Sequence, residues 1–326
     1  MTRALRPRIL LTGKNGQVGW ELHQTLSPLG EVVALDRWQL DLADTGQIRE
    51  RVREIKPDLI VNAAAYTAVD RAETEPELAM AINGLAPGIL AEEANRIGAA
   101  IIHYSTDYVY DGTKTTPYTE EDTPNPLNVY GRTKLTGEHA VRAVGTSHLI
   151  LRTSWVYGLR GKNFLLTILR LAREREELKV VDDQLGAPTW SRTIAEATAR
   201  ILTSGAWPAY GTWPADATSP ASSAWPSPSN SGIYHLTASG STSWYGFAEA
   251  ILALDQNPAE QVCRQLIPIP TSAYPTPARR PANSVLSNTK LKAVFGLTLP
   301  SWEQSLAEAQ GKHGDGSPAF KYFVGC

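Results

Sequence analysis

Cysteine is close to absent. The two in 326 residues, Cys263 and Cys326, form neither a framework of spacings nor a metal-ligand cluster, and a reducing compartment fits them. An excess of one charge is missing as well. Against 33 acidic residues stand 31 basic ones, a formal net charge of −2. Nothing in that balance argues for nucleic acid or an anionic membrane as a partner. Long hydrophobic runs are also lacking, and no segment is apolar enough over the ~20 residues a bilayer requires. The opening MTRALRPRILLTG carries basic residues, but its apolar run is too short for a signal peptide and reads as a first strand. The expectation is a cytoplasmic protein without internal repeats. What is present is ordinary for a globular chain: 42% hydrophobic and 20% charged residues, enough for a large core or two modest domains.

The first half alternates two periods. RILLTG (8–13), EVVALD (31–36), DLIVNAAA (58–65), AAIIHYST (99–106) and HLILRTS (148–154) are short apolar runs that read as strands. DLIVNAAA is nearly all apolar, as a strand covered on both faces should be. Between the runs lie helical patterns at 17–30, 45–57, 76–97 and 128–145, with Val18, Leu22 and Leu26 on one face of the first. Strands alternating with helices predict an α/β fold, a doubly wound parallel sheet. After Trp155 the regularity weakens. Helices are expected at 163–176, 191–204, 243–254 and 288–295, and YHLTASG (234–240) resumes order. Residues 206–231, rich in Pro, Ser, Ala and Trp, have no period and read as a long loop or disordered insertion. The expected division is a dinucleotide-binding domain over 1–155, completed by parts of 191–237, and a smaller mixed substrate domain over most of 156–326.

GKNGQVG places Gly13, Gly16 and Gly19 between the first strand and the first helix. A dinucleotide pyrophosphate needs close backbone approach and free N–H groups at a helix N-terminus, and glycines permit both. The spacing is G-x-x-G-x-x-G. A glycine-rich turn that merely packs helix on strand is the plainer reading, but the strand before and the helix after favour the nucleotide. The second strand ends at Asp36, which suits the ribose hydroxyls of NAD(H). Arg37 follows, which suits the extra phosphate of NADP(H). The two pull in opposite directions, so NADPH and NADH both stay open.

NVYGRTK puts Tyr130 and Lys134 four apart on one helix face. A free phenol has a pKa of about 10, and a nearby ammonium favours the phenolate and lowers it. Such a pair can give a proton to a carbonyl oxygen while hydride reaches its carbon, with the lysine also on the nicotinamide ribose. Taken alone, Y-x-x-x-K is a weak pattern. It gains weight from STDYVYDG (105–112), which follows the fourth strand at the edge where doubly wound sheets bind ligands. There Thr106 can bond the substrate oxygen and orient Tyr130, and Asp107 can accept from a sugar hydroxyl. The plainer reading of those two is a turn.

With these blocks in order, the chain resembles the extended short-chain dehydrogenase/reductase superfamily and, within it, the dTDP-4-dehydrorhamnose reductase family. The resemblance is carried by GKNGQVGWEL, VNAAAYTAVDRAE, HYSTDYVYDG, NVYGRTKL, LRTSWVYG, DDQLGAPT, YHLTASG and YPTPARRP. It runs from residue 13 to about residue 281, the insertion excepted. It implies a Rossmann-like fold and NAD(P)H-dependent reduction of the 4-keto group of a dTDP-sugar. Tyr130 would be the proton donor, Lys134 its modulator and Thr106 the tuning hydroxyl. Gly16, Gln17 and Val18 match the family's pyrophosphate loop, and Asp36, Asp41 and Leu42 its adenosine side. Ala65, Tyr66 and Thr67 match the nicotinamide-side wall; Thr106, Asp107 and Trp155 match the sugar contacts.

Some members of the family dimerise through Mg²⁺ held by three glutamates. The matching positions here are Glu21, Arg192 and the vicinity of Lys312. Cationic side chains repel Mg²⁺, so no metal requirement is expected, and a monomer or weak homodimer follows. Glu196 or Glu308, one helical turn away, would be the substitute ligands if that expectation failed. Two rival readings are a non-catalytic regulatory subunit of the same fold and a sugar-nucleotide dehydratase or epimerase. Intact Thr106, Tyr130 and Lys134 oppose the first. A Tyr at position 108, where a dehydratase carries a carboxylate, opposes a dehydratase.

Overall fold

The computed structural model describes residues 6–204 and 230–311. Most of the 206–231 segment, with Trp207, Trp213 and Trp225, lies outside the described residues, as do Lys312 and Cys326.

Five strands come from the five apolar runs: β1 (Arg8–Thr12), β2 (Glu31–Leu35), β3 (Leu59–Asn62), β4 (Ala100–Thr106) and β5 (His148–Thr153). A sixth strand, Gly232–His235, joins them from the second half of the chain. The order across the sheet is Gly232–His235, β5, β4, β3, β1, β2, and every pairing is parallel. The chain winds one way from β1 to β2 and the other way from β3 onward. A ligand crevice therefore opens beyond the carboxyl ends of β1 and β3.

Helices cover both faces, which is why β3, β4 and β5 are buried at every residue. One face packs under α1 (Gln17–Leu26) and the helix Ser191–Thr203, through Leu22, Leu26, Ile194 and Ile201. The other packs under α2 (Thr45–Ile55) and the helices Ala86–Ile97 and Val129–Val144, through Ile48, Val52, Leu90 and Val141. The helix expected as one piece at 76–97 is interrupted. Pro76–Met80 passes into a π-helical turn, Ala81–Leu85, before Ala86–Ile97. That turn brings Asn83 into the interior, where its amide accepts from the Tyr66 N–H at 2.8 Å and donates to the Tyr66 carbonyl at 3.0 Å. The wider turn thus ties the loop after β3 to the helical layer.

The rest of the second half has its own apolar cluster, with Tyr157, Ile168, Trp190, Phe247, Ile251, Trp302 and Leu306. Its strands are short and paired two by two. Glu177–Val181 runs parallel to Gln265–Ile269, and Leu185–Gly186 antiparallel to Thr242–Ser243. Val156–Tyr157 runs parallel to Thr189–Trp190, and helices Phe164–Glu174, Trp244–Ala253, Thr289–Phe295 and Trp302–Ala309 lie in this half.

Candidate active site

Beyond β1 the chain turns on Gly13, in the left-handed region at φ +72°, where a Cβ would meet the Ala64 backbone at 2.9 Å. A Cβ on Gly19 would fall 2.1 Å from the Gly13 carbonyl oxygen, so α1 can sit down on the loop only without a side chain there. No side chain caps the N-terminus of α1 at Gly16. The first-turn amides of Gln17 and Val18 are left for an anion. A cleft of about 830 Å³ opens from this point, a size that suits a small ligand or cofactor.

Gly13, Gly16, Gln17, Val18, Asp36, Ala65 and Thr67 all line the cleft. Asp36 accepts from the amides of Trp38 and Gln39 at 3.0 and 3.2 Å and pairs with Lys14 at 3.4 Å. Arg37 and Trp38 stand beside it on the cleft, Trp38 being 93% exposed. Gly19, Asp41, Leu42 and Tyr66 are not among the lining residues. Gly19 lies beneath Gly13, Leu42 belongs to the core on the α2 side, and Asp41 pairs with Arg37 at 3.7 Å. The Tyr66 hydroxyl donates to Glu75 at 2.5 Å.

The catalytic candidates meet at the middle of the cleft. The helix Val129–Val144 starts on Asn128, whose side chain accepts from the Gly131 N–H at 2.8 Å and donates to the Arg279 carbonyl at 2.8 Å. A Cβ on Gly131 would lie 2.2 Å from the Tyr108 carbonyl oxygen. This glycine therefore lets the helix start close against the chain that follows β4. Tyr130, Lys134 and Glu138 then share one face, at successive intervals of four. The Tyr130 and Tyr108 rings meet edge to face at 5.5 Å. Lys134 is buried and donates to the Tyr104 carbonyl at 2.6 Å, with His103 Nε2 at 3.2 Å. Glu138 is buried against Arg152 at 2.6 Å and accepts from Ser105 at 2.5 Å.

Burial pushes the Tyr130 phenol up to about 12; the Thr106 hydroxyl beside it pulls down, and the Asp107 charge adds to the rise. Burial also draws Lys134 down to about 8, against the pull of Glu138. In the protein by itself, burial of the phenol outweighs the lowering expected from Lys134. Lys134 Nζ is desolvated and donates to the Tyr104 carbonyl, and desolvation of the phenol decides the outcome. A protonated phenol is the form that a reduction needs.

At the far end, Thr106 Oγ1 donates to Asp107 Oδ1 at 2.9 Å. Burial raises the Asp107 carboxyl to about 6, partly offset by the Ser284 and Thr106 hydroxyls. Its Oδ2 is buried without a hydrogen bond among the described residues. Trp155, at φ +46°, is a positive-φ residue other than glycine, and a Cβ on Gly186 would strike its indole at 2.3 Å. Its ring stacks on Trp244 at 3.5 Å and 1°. Both tryptophans line the cleft. They are a built aromatic wall, with Trp155 held in a strained backbone position.

The RmlD substrate binding domain family matches residues 7–313. A dTDP-4-dehydrorhamnose reductase of Burkholderia thailandensis is 50% identical over 302 residues, 92% of this chain and 96% of that protein. One from Escherichia coli is 46% identical over 90% of this chain and 94% of its own length. The chain belongs to the dTDP-4-dehydrorhamnose reductase family. A family structure from Bacillus anthracis, in complex with NADP, superposes with a TM-score of 0.81 at 32% identity, covering 95% of this chain and all of that one. A UDP-glucose 4-epimerase from Thermus thermophilus, 19% identical with a TM-score of 0.73, shares the fold.

Some residues at the cleft, or buried behind it, were not singled out from the sequence. Trp244 is far from Trp155 in the chain, and no pattern pairs them. Asn83 was hidden in a helical run. Asn62 and His103 did leave a signal, as polar residues that directly follow the apolar runs LIV and AII in buried strands.

Proposed function

We propose that the protein reduces the 4-keto group of dTDP-4-dehydro-L-rhamnose to dTDP-L-rhamnose, the last step of dTDP-rhamnose biosynthesis. The observation that carries this reading is the placing of Tyr130, Thr106 and Lys134 on a cleft that begins at an uncapped, glycine-lined helix N-terminus. The residues present fit a dinucleotide: a side chain at Gly13 or Gly19 would close the loop. The first-turn amides of α1 would hold the pyrophosphate, and Lys134 the nicotinamide ribose. The bound cofactor supplies hydride.

Tyr130 gives its proton to the oxygen that becomes the new hydroxyl, so its O–H bond breaks as the product O–H bond forms. Thr106 Oγ1 bonds the same oxygen and orients the phenol. Asp107 accepts from a sugar hydroxyl, which suits a buried carboxylate oxygen without a partner. Trp155, braced by Trp244, offers a flat face to the sugar ring. NADPH is the proposed cofactor and NADH a second substrate for the same loop. Support comes from Arg37 standing exposed at the cleft, while Lys14 and two amides already engage Asp36.

The same reading covers organisation. Residues 1–155, with parts of 191–237, are assigned to cofactor binding and most of 156–326 to the sugar nucleotide, in a cytoplasmic protein. It acts as a monomer or weak homodimer without Mg²⁺. Arg192 supports this, since it pairs with Glu196 at 2.9 Å and its charge also acts on the half-buried Glu21. The test is purified protein with NADPH and the keto-sugar nucleotide. Loss of nicotinamide absorbance with formation of dTDP-L-rhamnose supports the reading. Cofactor binding without consumption would favour a regulatory subunit.

A further inference from the structure

The buried polar side chains of β1, β3 and β4 form a single line that ends on Lys134. The Ala64 amide lies 3.2 Å from Thr12 Oγ1, and Thr12 Oγ1 lies 2.7 Å from Asn62 Oδ1. Asn62 Nδ2 is 3.1 Å from His103 Nδ1, and His103 Nε2 is 3.2 Å from Lys134 Nζ. Thr12, Asn62, His103 and Lys134 are each 2% exposed or less. At that depth every donor must meet an acceptor inside the protein.

One end of the line has a polarity that cannot change. A backbone N–H only donates, so Thr12 Oγ1 accepts from Ala64 and sends its own hydrogen to the Asn62 carbonyl oxygen. That fixes the amide, and the Asn62 NH₂ faces His103. His103 Nδ1 then accepts and carries no proton. Burial is the larger cause that holds His103 well below its ordinary pKa, so the ring is neutral. Its one proton sits on Nε2 and points at Lys134 Nζ. A neutral amine has a lone pair for that hydrogen and an ammonium has none. Turning the Asn62 amide over would free the other tautomer. It would also leave Thr12 receiving two donors, with no acceptor for its own hydrogen.

We propose that Thr12, Asn62 and His103 are positioning residues that set the charge of Lys134: the line favours the neutral amine and yields the ammonium only when His103 changes tautomer. The other groups around Lys134 leave this control in place. On its own helix, Tyr130 carries a protonated phenol. Glu138 favours the ammonium but is bound by Arg152 of β5 at 2.9 and 2.6 Å and by Ser105 of β4 at 2.5 Å. Tyr104 of β4 offers a main-chain carbonyl, and Asp107 lies beyond the end of that strand, on the same cleft. The π-helical turn AINGL packed on this helix has no ionisable side chain.

The test is ¹⁵N spectroscopy of histidine-labelled protein without cofactor. The chain has six histidines, and the His103 signals are those lost in His103→Gln. Wild type and Thr12→Ser are expected to show the neutral Nε2–H tautomer. Thr12→Val, which keeps the shape and loses the orienting hydrogen, is expected to admit the Nδ1–H form. At saturating NADPH, the same variant should move the alkaline limb of kcat/KM upward by about one unit, the scale of one buried hydrogen bond, and Thr12→Ser should leave it in place. An Nδ1–H tautomer in the wild type overturns the proposal. So does a Thr12→Val protein with an unchanged tautomer and an unmoved limb. If Thr12→Val does not fold, the wild-type spectrum decides. The kinetic arm rests on the reductase reading and the spectral arm needs no turnover, so a tautomer shift in a protein without activity would fault that reading alone.

Discussion

Tyr130 is held as a protonated phenol, and it is the residue at which the proposed chemistry is most exposed to test. Tyr130→Phe removes the transferable proton and little else. It is expected to cut kcat roughly 10²–10⁴-fold while leaving NADPH affinity, read by fluorescence titration, unchanged. A mutant with wild-type rates would move the proton donor elsewhere. Asp107 makes a second prediction, with a definite sign. Its carboxyl is raised from 3.8 to about 6 in the fold. A raised value means a contribution to stability that is full below about pH 4 and lost as the pH climbs through about 6. At about pH 8 the buried carboxylate costs up to roughly 3 kcal/mol. Asp107→Asn is therefore expected to raise Tm at about pH 8 and not at about pH 4, while lowering kcat/KM for the sugar nucleotide. An unchanged Tm at the higher pH would contradict the buried charge. At this scale the residue types were legible in the sequence, because Thr106, Asp107, Tyr130 and Lys134 stand in short contiguous blocks. Their protonation was not, since desolvation is a property of the fold. Burial of the phenol thus outweighs what Lys134 alone would do.

Helices meet the cleft where glycine allows it. The helix Val129–Val144 approaches the π-helical turn at Gly137, where a Cβ would fall 2.1 Å from the Asn83 carbonyl oxygen. Gly137→Ala is expected to destabilise by about 1–3 kcal/mol, as overpacking does, and to lower kcat because Tyr130 rides on the displaced helix. A thermal melt and a rate together check it; an unshifted melt would mean the helices have room to separate. Asn128→Ala removes the cap and the bond to Arg279, at a cost of about 1 kcal/mol by denaturant titration. Strands β3, β4 and β5 were legible because each is covered on both faces and carries a run of apolar residues, with only isolated polar ones such as Asn62, His103 and Arg152 among them. The π turn was not: Asn83, Gly84, Pro87 and Gly88 weaken the helical run AMAINGLAPGIL, but nothing in their spacing says that the chain widens at Ala81–Leu85 and does not break. Two-residue strands such as Leu185–Gly186 have no period to read.

The whole molecule sets the cleft between a parallel sheet and a smaller second cluster, and its fold class followed from strand and helix alternation in the first half alone. The sixth strand was less visible, because Gly232–His235 lies just after the Pro/Ser-rich stretch and reaches β5 only after much of the second cluster has intervened in the chain. At this scale the proposed independence from Mg²⁺ is open to measurement. Light-scattering mass and activity are expected to be the same in EDTA and in excess Mg²⁺. A dimer that falls apart in EDTA and is restored by Mg²⁺ would refute it. The central claim, that this cleft reduces a keto-sugar nucleotide, is tested most directly by one trace of nicotinamide absorbance. With purified protein, NADPH and dTDP-4-dehydro-L-rhamnose, NADPH should be consumed mole for mole with dTDP-L-rhamnose formed, and the Tyr130→Phe trace should stay nearly flat. NADPH that binds and is not consumed, or a Tyr130→Phe trace that matches wild type, would contradict it.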